Sequence, residues 1–303
     1  MLYAFYTADI EDIKKAENEL NFSVNKSYEL YKLLLLLMID VRQYAESRIE
    51  IARNKLRPSN EDLHPNRRFV ENKFIAQIAE NIQLQKYIQS TGISWSQYPV
   101  LIKDIYSDLL KSEDYHNYMT SENISYENDK QIIINLYANL IQNNDDLHHI
   151  LEEMSIYWND DAEYIISMII KTIKIFREKD TKDKILLPLF KNDEDREFFT
   201  FLFRKAVINR DYCVELIKET ANNWDIDRIA FIDTIIMQMA ITELMEFSTI
   251  PTKVTLNEYL DIAKYYSTEK SNSFINGILD KILIKLRSAD KIKKTGRGLI
   301  GEN

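Results

Sequence analysis

The side chains that could perform acid–base or metal chemistry are few in this sequence, and their spacing favours structural roles. His148 and His149 lie beside two aspartates, and these groups can ligate a metal ion. Adjacent residues of a helix point about 100° apart, however, so the two imidazoles are poorly placed to share one ion. Asp160 and Asp161 precede an apolar run, where capping and compensation of the helix dipole explain carboxylates more simply than catalysis. Cys213 has apolar residues three and four positions later and is predicted to lie in the core.

Sequence motifs of common enzyme classes are absent as well. The chain contains no Walker loop, no GxGxxG motif and no HExxH motif. We therefore expect no enzymatic activity, no cofactor and no metal ion. The single cysteine excludes an intramolecular disulfide, and no signal peptide is recognisable. The longest strongly apolar run, residues 33–39, is far shorter than the about 20 residues of a membrane helix. These features predict a soluble cytoplasmic protein.

The composition predicts helices as the elements that position these side chains. Glycine and proline occur only five times each among 303 residues, which disfavours loop-rich β architectures because those need many turn residues. Apolar residues recur with helical spacing over about 23–54, 160–178 and 225–247. The sequence TLNE at 255–258 has the pattern of a capping box, and a last helix is expected to begin at residue 271. The sequence thus predicts an all-α fold.

The net charge of −9 is distributed unevenly along the chain. Residues 113–163 contain twelve acidic side chains and one basic side chain, whereas residues 281–303 contain seven basic and two acidic ones. The acidic segment could act as an RNA mimic or shield, or it could bind a basic protein. Two interpretations of the basic end, which includes Lys291, Lys293 and Arg297, are open. Its cations contact nucleic-acid phosphates, or they form a solvated helix end that suits the helix dipole.

Three stretches of the last third resemble one known family in their order and spacing. They are NWDIDRIA at 223–230, IPTKVTLNE at 250–258 with AK at 263–264, and KSNSFINGILDK at 270–281. Together they resemble the NusB family of transcription antitermination factors. The resemblance implies an all-α fold of two small helical bundles.

The resemblance also predicts how the chain is organised. Residues 1–7 match the first family helix in truncated form, and residues 192–288 match the NusB-like core. Residues 8–191, which include the acidic segment, are predicted to be a long helical insertion after the first helix. Residues 289–303 are expected to be a basic flexible tail. Family members usually begin with an Arg-rich stretch that this sequence lacks, and the uncapped apolar start suggests that a segment is missing upstream.

The function that the resemblance implies is transcription antitermination. Such proteins bind the boxA element of ribosomal RNA transcripts together with a small-subunit ribosomal protein, NusE, and the complex joins RNA polymerase. One alternative is a helical protein–protein adaptor with weak or no RNA binding. Another is the NusB-like domain of RNA cytosine methyltransferases, which the scarcity of glycine disfavours because no cofactor loop is recognisable.

Four positions carry the implied binding site. Lys270, Phe274 and Tyr3 match positions near the bound RNA, although Lys270 could be a solvated cation and Phe274 the first residue of a core stripe. Asp233 and Tyr3 match positions that meet the ribosomal partner. Asp233 interrupts an apolar run, which indicates either an exposed face or a partner contact. Gly277 is expected at a close helix contact, because glycine costs about 1 kcal/mol in a helix interior.

Overall fold

All regular secondary structure in the described part of the chain is helical. The computed structural model describes residues 12–221 and 229–301, and over these ranges it contains fourteen α-helices and no β-strand. The predicted all-α class is therefore confirmed. The α-helices are α1 Ile13–Arg53, α2 Asn60–Leu63, α3 Lys73–Ala79, α4 Ile82–Thr91, α5 Pro99–Lys111, α6 Glu113–Thr120, α7 Tyr126–Asn135, α8 Asp145–Met154, α9 Ala162–Ile175, α10 Asp193–Ile208, α11 Arg210–Thr220, α12 Phe231–Glu246, α13 Thr252–Tyr266 and α14 Glu269–Ser288. A π-helix covers Leu136–Ile141, and 3-10 helices cover Ile156–Trp158 and Gly296–Leu299.

The chain divides into two compact units. The first, which we call the split unit, contains the described residues up to Val24 and those from Phe190 onward. The second, the continuous unit, is Asn25–Leu189. The continuous unit falls inside the predicted insertion 8–191, whose boundaries stay predictions. α1 contributes residues to both units.

The first turns of α1 differ from the sequence prediction. The helix begins at Ile13, whereas the apolar pattern predicts a start near residue 23. The Asp12 carboxylate accepts a hydrogen bond from the backbone N–H of Lys15 at 3.1 Å and so caps the start. Ala16 and Leu20 are buried four residues apart, which continues the helical spacing towards the N-terminus.

The continuous unit is organised around the leucine-rich part of α1. Every residue from Leu33 to Ile39 is buried, so α1 is apolar on all sides here and is enclosed by other helices. The indole N–H of Trp95 donates to the Leu33 carbonyl at 2.9 Å, and the Tyr137 hydroxyl donates to the Leu34 carbonyl at 2.7 Å. The apolar run is therefore a core helix. Within the described ranges, no helix is both long and apolar enough to cross a membrane.

In the split unit, α12 is the central helix. Most of its residues are buried, and it packs against α10, α11, α13 and α14. Cys213 on α11 lies in the same core and is fully buried, with its sulfur 3.8 Å from the Thr242 hydroxyl of α12. Burial raises the pKa of the Cys213 thiol to about 11. The prediction that Cys213 is a core residue is confirmed.

The predicted capping box at Thr255 is wrong. α13 begins three residues earlier, at Thr252, with Pro251 in the N-cap position. The carbonyl of Pro251 accepts the backbone N–H groups of Val254 and Thr255, at 3.0 and 3.1 Å. Thr255 is therefore inside the helix and fully buried, and its hydroxyl turns towards α12. Pro251 is extended, with φ −60° and ψ 141°, and its carbonyl starts the helical hydrogen bonds, which explains the earlier start.

Residues 289–301, predicted to be a basic flexible tail, make contacts with the rest of the split unit. Ile292 packs against the core of the split unit, and the Lys294 ammonium donates to the Phe247 carbonyl at 2.9 Å. The backbone N–H of Thr295 donates to the Ser248 carbonyl at 2.9 Å. These residues therefore form an ordered segment against the α12–α13 loop, which we call the C-terminal strap.

Gly277 is exposed in the middle of α14, and a Cβ built on it would meet nothing within 4 Å. The expected close helix contact is therefore wrong within the described part of this chain.

Gly277→Ala is expected to stabilise the split unit by about 1 kcal/mol, because alanine is the better helix former and has room. Cys213 is the only cysteine of the chain and is fully buried, so its labelling by a thiol reagent reports opening of the split unit. Labelling should slow about fivefold.

A graded control is available at the same position. Gly277→Ser should slow Cys213 labelling by less than Gly277→Ala, because serine has a weaker helix propensity than alanine. Faster labelling of both variants would show that the site does not tolerate a side chain.

Candidate functional site

The turn between α13 and α14 is held by hydrogen bonds from three helices. The carboxylate of Asp233, in the first turn of α12, accepts a hydrogen bond from the hydroxyl of Ser267, the residue that ends α13. The side-chain amide of Asn272, in the first turns of α14, donates to the Leu260 carbonyl of α13 at 2.8 Å. These bonds fix the start of α14 relative to α12 and α13.

Asp233 is buried, with a relative exposure of 4%. The sequence left two interpretations of Asp233 open, an exposed face or a partner contact. The exposed face is therefore wrong. The physical reason is that neighbouring helices cover α12 and that Ser267 provides a hydrogen-bond donor for the carboxylate. The contact of Asp233 with a ribosomal partner stays a prediction. In the structure, Asp233 holds the α13–α14 turn in position through its hydrogen bond with Ser267.

Lys270 and Phe274 lie one helical turn apart at the start of α14, on neighbouring positions of its surface. Lys270 is exposed. Phe274 is half-buried and packs against the core of the split unit, so its ring contributes to the core and still reaches the surface. The structure thus brings a cation and an aromatic ring together at one end of the split unit. Such a pair can contact a phosphate and stack on an unpaired base.

Tyr3 lies outside the described residues, and so do residues 223–228, most of the first matching stretch. The assignment of Tyr3 to the RNA and partner surfaces therefore stays a prediction.

Glu243 is a buried acid that the sequence analysis missed. Its two carboxylate oxygens accept hydrogen bonds from the Thr255 hydroxyl at 2.7 Å and the Tyr259 hydroxyl at 3.0 Å, both on α13. Burial raises the pKa of the Glu243 carboxyl, while these hydrogen bonds and the charge of Lys294 act in the opposite direction. The available signal was an acid within an apolar run of α12, together with two hydroxyl residues four positions apart on the next helix. This cluster fastens α12 to α13.

The other titratable residues considered above have structural contacts. The His148 ring lies 2.8 Å from the Gln142 carbonyl, and the exposed His149 ring lies 3.4 Å from a carboxylate oxygen of Glu153. Asp161 occupies the N-cap position of α9, but it makes no capping hydrogen bond and instead accepts one from the Ser27 hydroxyl. In the described ranges, no group of three or more His, Cys, Asp or Glu side chains is arranged to hold a metal ion.

Comparison with known proteins identifies the relatives of this chain. Residues 163–283 match the profile of the NusB family. The chain is 43% identical over 117 residues to the transcription antitermination protein NusB of Salinibacter ruber, covering 39% of this chain and 73% of the relative. It is 40% identical over 103 residues to the protein of the same name from Chloroherpeton thalassium, covering 34% of this chain and 49% of the relative. For the protein of the same name from Natranaerobius thermophilus, the identity is 43% over 75 residues, covering 25% of this chain and 54% of the relative. No solved structure matches the chain significantly.

The split unit is thus an all-α bundle that presents a cation and an aromatic ring at the start of its last long helix. The family match, residues 163–283, begins in α9 of the continuous unit and extends through α10 to α13 and most of α14. The chain belongs to the NusB family. It spans nearly three quarters of the Salinibacter relative and about half of the other two.

Proposed function

We propose that this chain is a transcription antitermination factor that binds boxA-type RNA of ribosomal RNA transcripts. It does so together with a small-subunit ribosomal protein (NusE) and RNA polymerase, in the cytoplasm and without catalysing a reaction. The observation that carries the proposal is the 43% identity to a transcription antitermination protein across 73% of that protein's length. The exposed Lys270 and the half-buried Phe274 supply groups suited to single-stranded RNA.

The proposed site works by positioning rather than by chemistry. Asp233 and Asn272 hold the α13–α14 turn, which fixes where α14 starts. The ammonium group of Lys270 then contacts a phosphate, and the ring of Phe274 stacks on an unpaired base, which is worth about 1–3 kcal/mol. Tyr3 is proposed to lie near both the RNA and the ribosomal partner, and Asp233 to support the partner contact.

A binding assay tests this function directly. Affinity for a boxA RNA and for a scrambled RNA of equal length is measured with and without the ribosomal protein. The same measurement is made on a chain with a basic extension upstream of Met1, because family members usually begin with an Arg-rich stretch. Equal affinity for both RNAs under all conditions would overturn the proposal and favour a protein–protein adaptor.

Lys270→Glu is expected to weaken boxA binding about tenfold near 0.1 M salt, because it replaces a phosphate contact by a repulsive charge. The slope of log affinity against log salt concentration should become shallower by about 0.7, the value for one phosphate contact on a single strand. Lys218→Glu on α11 is the matched control, since Lys218 is also an exposed lysine of the split unit. Equal effects of the two variants would remove Lys270 from the site.

Phe274→Leu is expected to lower boxA affinity by about 1–3 kcal/mol, because leucine fills the core position without offering a flat ring for stacking. Cys213 labelling shows whether the split unit keeps its stability. A loss of affinity that appears only with faster labelling would assign Phe274 to the core alone.

A further inference from the structure

The far end of the split unit from Lys270 carries a second concentration of positive charge. α14 rises about 1.5 Å per residue, so Lys270 and Arg287 on this helix are separated by about 25 Å along its axis. At the Arg287 end, the α12–α13 loop, the start of α13 and the C-terminal strap come together. Five cations from three segments surround this loop, and we call them the basic end: Lys253, Arg287, Lys293, Lys294 and Arg297.

Hydrogen bonds and close packing at this end of the split unit fix the positions of the basic residues. Arg287 lies 3.3 Å from the Thr252 hydroxyl at the start of α13, which is next to Lys253. Lys294 donates to the Phe247 carbonyl at 2.9 Å. The backbone of Gly298 packs so closely on Ser248 that a Cβ there would come within 2.0 Å of the Ser248 carbonyl oxygen. The strap is therefore fixed on the loop, and Arg297 with it.

Nearby acidic groups compensate part of this charge, since the buried Glu243 carboxyl interacts with the charge of Lys294. Glu246 is paired with Lys205 at 2.9 Å, and Glu243 is buried beneath the loop. Asp290 lies 4.0 Å from Lys293, and both of these side chains are largely exposed. Lys253 and Arg297 are exposed and have no acidic group within 4 Å among the described residues. The alternative interpretation is a solvated helix end. It does not account for Lys294 and Arg297, which belong to the strap and not to the end of α14.

We propose that the basic end binds the phosphate backbone of single-stranded RNA, as a second contact on the same RNA that reaches Lys270. The inference rests on the proposed function, which supplies the polyanion. Positive charge on a fixed surface attracts phosphates without regard to base sequence. The two ends of α14 then have different roles in binding. Lys270 and Phe274 provide the preference for one RNA sequence, and the basic end increases the affinity for any RNA.

The test uses the full chain and a triple variant, Lys253→Ala with Lys293→Ala and Arg297→Ala. All three side chains are exposed, and none of them makes the hydrogen bonds that dock the strap. The control is Lys103→Ala with Lys171→Ala and Lys218→Ala, three exposed lysines on α5, α9 and α11 with the same change in charge. Affinity is measured for boxA RNA with flanking nucleotides on both sides and for a scrambled RNA of equal length, over a series of salt concentrations.

The triple variant is expected to bind both RNAs at least about tenfold more weakly at low salt, with an unchanged ratio between them. Its slope of log affinity against log salt should be shallower by about two, because three phosphate contacts of about 0.7 each are lost. The control should bind as the unmodified chain does. Equal affinity and slope for the triple variant and the unmodified chain would overturn the inference.

The design separates this inference from the proposed function. If the unmodified chain does not prefer boxA RNA, the proposed function fails, and the scrambled RNA still tests the basic end. Sedimentation with phosphatidylserine vesicles examines the other polyanion that such a surface could meet. Loss of vesicle binding in the triple variant, with RNA binding unchanged, would overturn the inference in favour of a lipid surface.

Discussion

Replacing Glu243 by alanine is expected to lower the free energy of unfolding of the split unit by about 3 kcal/mol. The substitution leaves a cavity between α12 and α13, and it removes the acceptor of two buried hydroxyl groups. Thr255 is fully buried and Tyr259 is nearly so, so neither hydroxyl can turn to water. A buried polar group that loses its partner costs about 1–3 kcal/mol in addition to the cavity.

Cys213 provides the measurement for this variant. A loss of 3 kcal/mol should speed thiol labelling of Cys213 by roughly two orders of magnitude under native conditions. Glu258→Ala is the matched control, because Glu258 is an exposed acid on α13. Similar labelling rates for the two variants would show that the cluster does not fasten α12 to α13.

The same carboxylate makes a pH dependence predictable. The pKa of Glu243 is raised from its ordinary value of 4.5 in the folded chain, chiefly by burial. Its contribution to stability is therefore fully present below pH 4.5 and is lost as the pH rises through the folded-state pKa. Glu243→Gln cannot titrate. The stability of the unmodified chain relative to this variant should therefore be greatest below pH 4.5 and fall as the pH rises, as measured by denaturant unfolding.

The second large effect is expected from Gly298→Ala. The new Cβ would come within 2.0 Å of the Ser248 carbonyl oxygen. The backbone fixes the position of this Cβ, and its neighbour is a backbone atom, so the strap must move. The shift is expected to cost about 1–3 kcal/mol, the range typical of overpacked sites. The hydrogen bonds of Lys294 and Thr295 to the α12–α13 loop should be lost with it.

Hydrogen exchange at the Thr295 amide measures this change, because that N–H is bonded to the Ser248 carbonyl. Its protection should fall by one to two orders of magnitude in the variant. Gly277→Ala is a useful contrast, since the same substitution in open space is expected to stabilise. Unchanged protection at Thr295 would contradict the close approach of the strap.

The sequence predicts the class of fold well because its signals are local. Few glycines and prolines with helical apolar spacing favour helices, and the same spacing places Cys213 and Leu216 on one buried face. The resemblance also led to Lys270 and Phe274, which the structure brings together on α14. Local pattern and tertiary structure agree at Cys213 and Leu216.

The errors come from contacts between residues far apart in the sequence. Thr255 satisfies the local pattern of a capping box, but its hydroxyl bonds to Glu243 of another helix. One interpretation of Asp233 is an exposed position, yet the side chain is buried and accepts a hydrogen bond from Ser267 of α13. The docked strap depends on the fit of Gly298 against Ser248. No local spacing encodes any of these pairings.

The division of the split unit into two chain segments has a consequence during synthesis. Leu20 of α1 packs in one cluster with Phe203 of α10 and Ile235 of α12, and the whole continuous unit lies between Leu20 and Phe203 in the chain. At about 5–20 residues per second, a ribosome needs roughly 10 to 40 s to pass from the first of these residues to the second. During that interval the apolar face of the first turns of α1 has no packing partner from α10. All residues of the continuous unit are therefore synthesised before α1 and α10 can pack together in the core of the split unit.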